Sequence, residues 1–144
     1  MKNMPKNNIK LPPKVFICSP YGGKEENLEL AKKWCRRAIL EGNNPLAPHL
    51  FYPQFLDESN SDERSFGIIA GMFWLNVCDS MWVITRPDEK FSTGMCVEIN
   101  HALEKGIPIM LITDGDDLIT KSHRENKEIL DMVREAESLL ALQK

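Results

Sequence analysis

Ser92-Thr93-Gly94-Met95-Cys96-Val97-Glu98 sets a hydroxyl, a glycine and a carboxylate where an apolar strand hands over to a helix. Each residue type has a chemical use at that spacing. Ser92 can cap the helix through its side-chain oxygen, and Gly94 lets a ligand approach backbone N–H groups that have no intrahelical partner, so the helix start is an anion site. Helical side chains lean toward the N-terminus, which turns Glu98 back over Gly94. The column Gly94, Glu98, Ala102 therefore sets one acid between two small residues and leaves room beside it. The same residues also describe a plain capped helix with a solvated Glu98, so spacing alone leaves both readings open.

The elements that position these residues alternate along the chain. Lys14-Val15-Phe16-Ile17-Cys18 follows Pro12-Pro13 as a buried first strand and ends at Ser19-Pro20-Tyr21-Gly22-Gly23. Residues 26–41 form a helix with Leu30, Ala31, Trp34, Ala38 and Ile39 on one face, closed by Gly42. Asn44-Pro45-Leu46-Ala47-Pro48 is a short second strand, and its prolines suit an edge position. An aromatic loop, His49 to Leu56, leads to a helix over 62–77 that is apolar on most sides, as if buried on more than one face and in part by a second subunit. Ser80 to Thr85 is the third strand, 92–105 the glutamate helix, 107–112 the fourth strand and 123–141 a closing helix. The pattern predicts a three-layer, flavodoxin- or Rossmann-like α/β domain over 14–144, with a four- to five-stranded parallel sheet and a flexible tail over 1–13. In such sheets ligands bind beyond the carboxyl ends of the strands where strand order reverses. A strand order of 2-1-3-4 would bring Tyr21 and Gly22 next to Ser92, Gly94 and Glu98.

Bulk properties narrow the function. With 144 residues, 42% hydrophobic and 27% charged, the chain suits one domain with one sizeable core. A formal net charge of -3 argues against neutralising a nucleic-acid polymer, while a nucleotide needs only local donors. Cys18, Cys35, Cys78 and Cys96 lie far apart and read as reduced core residues of a cytoplasmic protein. His49, His101 and His123 lack metal-ligand spacing and read as surface or capping histidines, so neither metal nor cofactor is expected. No apolar run is long enough for a bilayer, which argues against a membrane partner.

Several motifs in register carry a resemblance: Ser19-Pro20-Tyr21 with Asn27, Ala47-Pro48-His49-Leu50, Phe55-Leu56-Asp57, Glu63-Arg64 with Gly67, Cys78-Asp79 before Trp82-Val83, Ser92 with Gly94-Met95 and Glu98-Ile99, and Gly106-Ile107-Pro108. The chain is identified on them as a member of the nucleoside 2-deoxyribosyltransferase-like superfamily. Within it, the closest resemblance is to an uncharacterised group of small bacterial and phage proteins of unknown function. The superfamily cleaves or exchanges N-glycosidic bonds of nucleosides and nucleotides, and the resemblance implies Glu98 as nucleophile. A carboxylate attacking C1′ gives a covalent glycosyl ester that water or a second base resolves. Nucleoside-acting members carry an acid where this chain has Ser92, whereas members hydrolysing deoxynucleoside monophosphates carry a serine that holds the 5′-phosphate. A nucleoside 5′-monophosphate-like substrate is thereby implied.

The resemblance extends to further site residues. Tyr21 falls where the superfamily contacts the sugar and nucleophile, so Tyr21 and Glu98 are the candidate catalytic pair. Ser19, Gly22, Arg64, Ser92, Gly94 and Met95 are the candidate substrate-binding residues. Asp79 is weighed as structural, closing the helix before the third strand. One position departs from the superfamily: an aspartate that assists catalysis is replaced by Gly71. Asp57, Glu58, Asp62 and Glu63 are candidate substitutes. The departure also favours an alternative, a non-catalytic sensor or sponge for a nucleotide-derived metabolite. Phe51, Tyr52 and Phe55 could stack a base or form a packed minicore. Superfamily members pair subunits, which implies a homo-oligomer.

Overall fold

Five strands form one sheet: β1 (Lys14–Cys18), β2 (Asn44–Leu46), β3 (Ser80–Thr85), β4 (Ile109–Asp114) and β5 (Ile119–His123). A computed structural model describes residues 10–115 and 119–143, so most of the tail expected over 1–13 lies outside the described residues. The strand order is β2-β1-β3-β4-β5. β2, β1, β3 and β4 run parallel, and β5 returns antiparallel to β4, with Asp114 opposite Ile119. Strand order reverses between β1 and β3, as the sequence pattern anticipates. β5 keeps the strand count within the four to five expected but corrects the all-parallel direction and the helix start placed at about 123. A short return after β4 can pair only antiparallel, since a parallel partner needs a long crossover.

Four helices complete the fold: α1 (Glu25–Leu40), α2 (Ser61–Asn76), α3 (Thr93–Lys105) and α4 (Asn126–Ala141). Alternation along the strands divides the core in two. Val15, Ile17, Trp82, Ile84 and Ile112 pack with Leu30, Ala31 and Trp34 of α1 on one face. Phe16, Cys18, Met81, Val83, Ile109 and Leu111 pack with Met95 and Ile99 of α3 and Ile129 and Val133 of α4 on the other. The result is the expected three-layer α/β domain. Lys121 of β5 closes the α1 side, with Nζ over the Trp34 and Trp82 rings and 2.6 Å from a Glu41 carboxylate oxygen.

α2 departs most from its sequence reading. Only Gly67, Gly71 and Leu75 of this helix are buried. Phe66, Ile69, Phe73, Trp74 and Val77 are exposed in the single chain, by 42% to 65%. The inward face is built of glycines because two short 3-10 turns, Pro48–Leu50 and Tyr52–Gln54, press against it. A Cβ on Gly71 would lie 3.1 Å from Cγ of Pro48, and one on Gly67 would lie 3.3 Å from Cδ1 of Leu56. Asn60 caps this helix by accepting from the Asp62 and Glu63 N–H groups.

Candidate active site

α3 starts where the sequence places it. Ser92 is the N-cap, its Oγ accepting from the Met95 N–H at 3.3 Å, and Gly106 ends the helix in the left-handed region at φ 70°. Capping leaves the Thr93 and Gly94 N–H groups without intrahelical partners. Nothing lies within 4 Å of a Cβ built on Gly94, so the helix start opens directly onto space. That space is a cleft of about 720 Å³ at the carboxyl ends of β1 and β3. Tyr21, Gly22, Arg64, Ser92, Gly94, Met95 and Glu98 all line it, bringing seven of the eight residues singled out from sequence into one cavity. Ser19 stands just behind: it is fully buried, its Oγ has no partner among the described residues, and its carbonyl faces His49.

Glu98 is 4% exposed, and burial pushes its carboxyl up to about 8. A hydrogen bond from the Cys18 thiol opposes that shift without cancelling it. Cys18 is itself fully buried, 3.9 Å from the Met95 carbonyl oxygen, and burial followed by the neighbouring Glu98 holds its thiol well above the usual range. An acid so placed is mostly protonated at pH 7 and ionises when positive charge develops beside it. Neutrality also removes the repulsion that an ionised Glu98 would exert on a phosphate at the helix start.

Tyr21 lines the cleft through a stacked ring. Its ring stacks on His49, centroids 4.9 Å apart and planes 22° apart, and no hydrogen bond joins it to Glu98 among the described residues. The group whose influence opposes the shift of Glu98 is the thiol of Cys18, a residue read as mere core. The Tyr21 loop is held from below: Asn27 Nδ2 donates to the Tyr21 carbonyl at 2.7 Å, and Arg86 donates to Asn27 Oδ1 at 2.7 Å and to the Glu26 carbonyl at 2.9 Å. Arg86 had no signal in the sequence beyond its place after β3.

His49 corrects a second reading. It is neither a surface nor a capping histidine, since its ring forms part of the cleft wall and its Nε2 lies 2.9 Å from the Ser19 carbonyl oxygen. Of the candidate substitutes for the missing aspartate, only Glu58 lines the cleft. Asp57 accepts from the Ser59 N–H and hydroxyl, and Glu63 accepts from the Asp57 N–H. Arg64 lines the cleft without an ion pair among the described residues. Asp79 binds the backbone N–H of Lys14 at 2.7 Å, so it clamps the start of β1 rather than closing α2. Phe51, Tyr52 and Phe55 pack edge-to-face on one another, 5.1 to 5.9 Å apart, and of the three only Tyr52 reaches the cleft. Among the described residues no cluster of His, Cys, Asp or Glu could hold a metal ion, and no helix is long and apolar enough to cross a membrane.

A five-stranded, mostly parallel sheet whose strand order reverses between β1 and β3, with helices on both faces, defines a three-layer α/β domain. Solved structures agree on the fold. A 2-deoxyribosyltransferase from Bacillus psychrosaccharolyticus superposes with a TM-score of 0.60 at 20% identity, over 74% of this chain and 77% of that one. A conserved protein from Enterococcus faecalis V583 superposes with a TM-score of 0.54 at 18% identity, over 86% and 76%. Residues 13–112 match the family described as domain of unknown function DUF7768, and the chain belongs to that family. No curated protein matches it in sequence.

Proposed function

We propose that this protein cleaves or transfers the N-glycosidic bond of a nucleoside 5′-monophosphate-like substrate, with Glu98 as nucleophile. The observation that carries this reading is a buried carboxyl at the base of a cleft that opens onto an unsatisfied helix start. Charge developing on the sugar as the base departs favours the ionised form of Glu98, so the nucleophile is stabilised most when it is needed. The Thr93 and Gly94 N–H groups and the Ser92 hydroxyl take the phosphate, and Arg64 supplies a neutralising cation. Met95 forms the floor, Gly22 lets the β1 loop approach the sugar, and Ser19 offers its unpartnered hydroxyl. The similarity to a 2-deoxyribosyltransferase supports this chemistry at the level of the fold.

The reaction needs no cofactor, and the substrate is a small molecule handled in the cytoplasm rather than a nucleic-acid polymer or a membrane. The exposed apolar residues of α2 support a homo-oligomer. The test is incubation with a panel of ribo- and deoxynucleoside 5′-monophosphates, with chromatography for free base and intact-mass analysis for a glycosyl adduct. Free base and an adduct on the wild type, both absent in Glu98→Ala, are the expected results. No base above the Glu98→Ala background sinks the proposal.

One observation favours a second reading, binding without turnover: Pro48 occupies the space beside Gly71, so no side chain can act from there. That reading predicts an intact nucleotide co-purifying or raising Tm without free base appearing.

A further inference from the structure

Glycosyl transfer through Glu98 moves a proton as well as a sugar, because the resting acid is neutral and the departing base nitrogen must be protonated. His49 is the wall residue best built for that task. Its Nε2 faces the Ser19 carbonyl at 2.9 Å, and a carbonyl only accepts, so the neutral ring carries its hydrogen on Nε2 and leaves a lone pair on Nδ1. The Tyr21 ring lies flat against it, so the imidazole is held at one atom and over one face. Burial keeps it neutral at pH 7, with the Ser19 bond opposing more weakly. Nδ1 has no partner among the described residues. His49 also directly follows Pro48, so the turn that fills the space beside Gly71 delivers an imidazole to the same cleft.

The other titratable groups on the cleft fit less well. Arg64 carries only donors, burial and the neighbouring Glu58 and Glu25 raise Tyr21, the Tyr52 hydroxyl accepts from the Trp74 Nε1–H at 2.8 Å, and no hydrogen bond holds the Glu58 carboxylate in place among the described residues.

We propose that His49 is the proton carrier of this site, moving one proton between Glu98 and the leaving base through Nδ1. The proposal rests on the glycosyl-transfer reading of Glu98. In the first half the Glu98 proton passes to Nδ1, directly or through one water. A carboxylate oxygen then forms a bond to C1′ as the C1′–N bond breaks with its electron pair on the base, and Nδ1–H protonates that nitrogen. In the second half water attacks C1′, the ester C1′–O bond breaks with its pair on Glu98, and the proton lost by water returns through Nδ1 to the carboxyl. The sum is nucleotide plus water giving free base and sugar phosphate.

The test compares two leaving groups. A nucleoside monophosphate that the wild type cleaves needs a protonated base, whereas 4-nitrophenyl 2-deoxyriboside 5-phosphate releases nitrophenolate, which leaves without a proton. His49→Gln keeps an N–H for the Ser19 carbonyl and removes the basic nitrogen; His49→Asn gives the same comparison should the glutamine variant not fold. Base release from the nucleotide is expected to fall by about 10²- to 10⁴-fold, with the single-turnover burst of nitrophenolate at pH 9, where Glu98 is already ionised and no water has yet attacked, within roughly threefold of wild type. Equal loss on both substrates, no loss on either, or a leaving-group-dependent loss in Glu58→Gln instead overturns the proposal. If wild type and Glu98→Ala are alike on both substrates, the glycosyl-transfer reading itself falls, and His49's role with it.

Discussion

Glu98 is buried, so solvation of its anion is lost and only the Cys18 thiol acts in the anion's favour. A consequence for stability follows from linkage. The unfolded chain releases this proton near 4.5, while the folded chain keeps it to about 8. Between those values the unfolded state binds fewer protons, so folded stability declines as pH rises, by about 3 to 5 kcal/mol over the full window. Glu98→Gln, neutral at every pH, should be no more than slightly different from wild type at pH 5 and clearly more stable at pH 8. Urea melts of both proteins across that range check this, and parallel pH profiles would show that Glu98 is ionised in the fold. The glutamate and the open, Ser92-capped helix start were legible because capping, helical lean and the Gly94, Glu98, Ala102 column are local rules. The Cys18 thiol and the His49 ring were not, because each meets the site across many intervening residues.

At the scale of elements, the contact between α2 and the turn at Pro48 decides what position 71 can hold. The Pro48 ring is rigid and buried, with Cγ 3.1 Å from where a Cβ on residue 71 would be. Gly71→Asp is expected to lower stability by about 1 to 3 kcal/mol through overpacking, and pairing it with Pro48→Ala should recover part of that loss. Thermal melts of the single and double variants measure the coupling; additive effects would mean that the two residues do not press on each other. The same contact explains why α2 was misjudged from its composition. Apolar residues all round a helix suggest burial all round, yet glycines are what allow the close approach on the inner face. β5 escaped for a different reason. Its polar Thr120, Lys121 and Ser122 give a short edge strand little apolar periodicity, and its partner is chosen by the sheet rather than by its own residues.

For the whole molecule, the open question is what covers Phe66, Ile69, Phe73 and Val77, which recur at helical spacing along the outer face of α2. A contiguous apolar stripe of this kind marks an interaction surface, and we propose a second copy of the chain as its occupant. Light scattering should give a multiple of 16.5 kDa for the wild type and a smaller species for the variant Ile69→Lys with Phe73→Glu. A wild type that stays monomeric at micromolar concentration removes the oligomer.

Sequence alone determined the strand and helix alternation and, on a 2-1-3-4 strand order, the meeting of Tyr21 and Gly22 with Ser92, Gly94 and Glu98 at one end of the sheet, while Arg64 and Met95 were reached through the family resemblance. Periodicity, capping and crossover handedness are properties of neighbouring residues, and they suffice to place loops at a sheet edge. Only the tertiary structure decided that Glu98 is desolvated with the Cys18 thiol beside it, that Tyr21 stacks on His49, that His49 is fixed in the wall, and that Pro48 closes the space beside Gly71. Those facts depend on which atoms pack together across the fold and on how far water is excluded from them. No local rule along the chain encodes either.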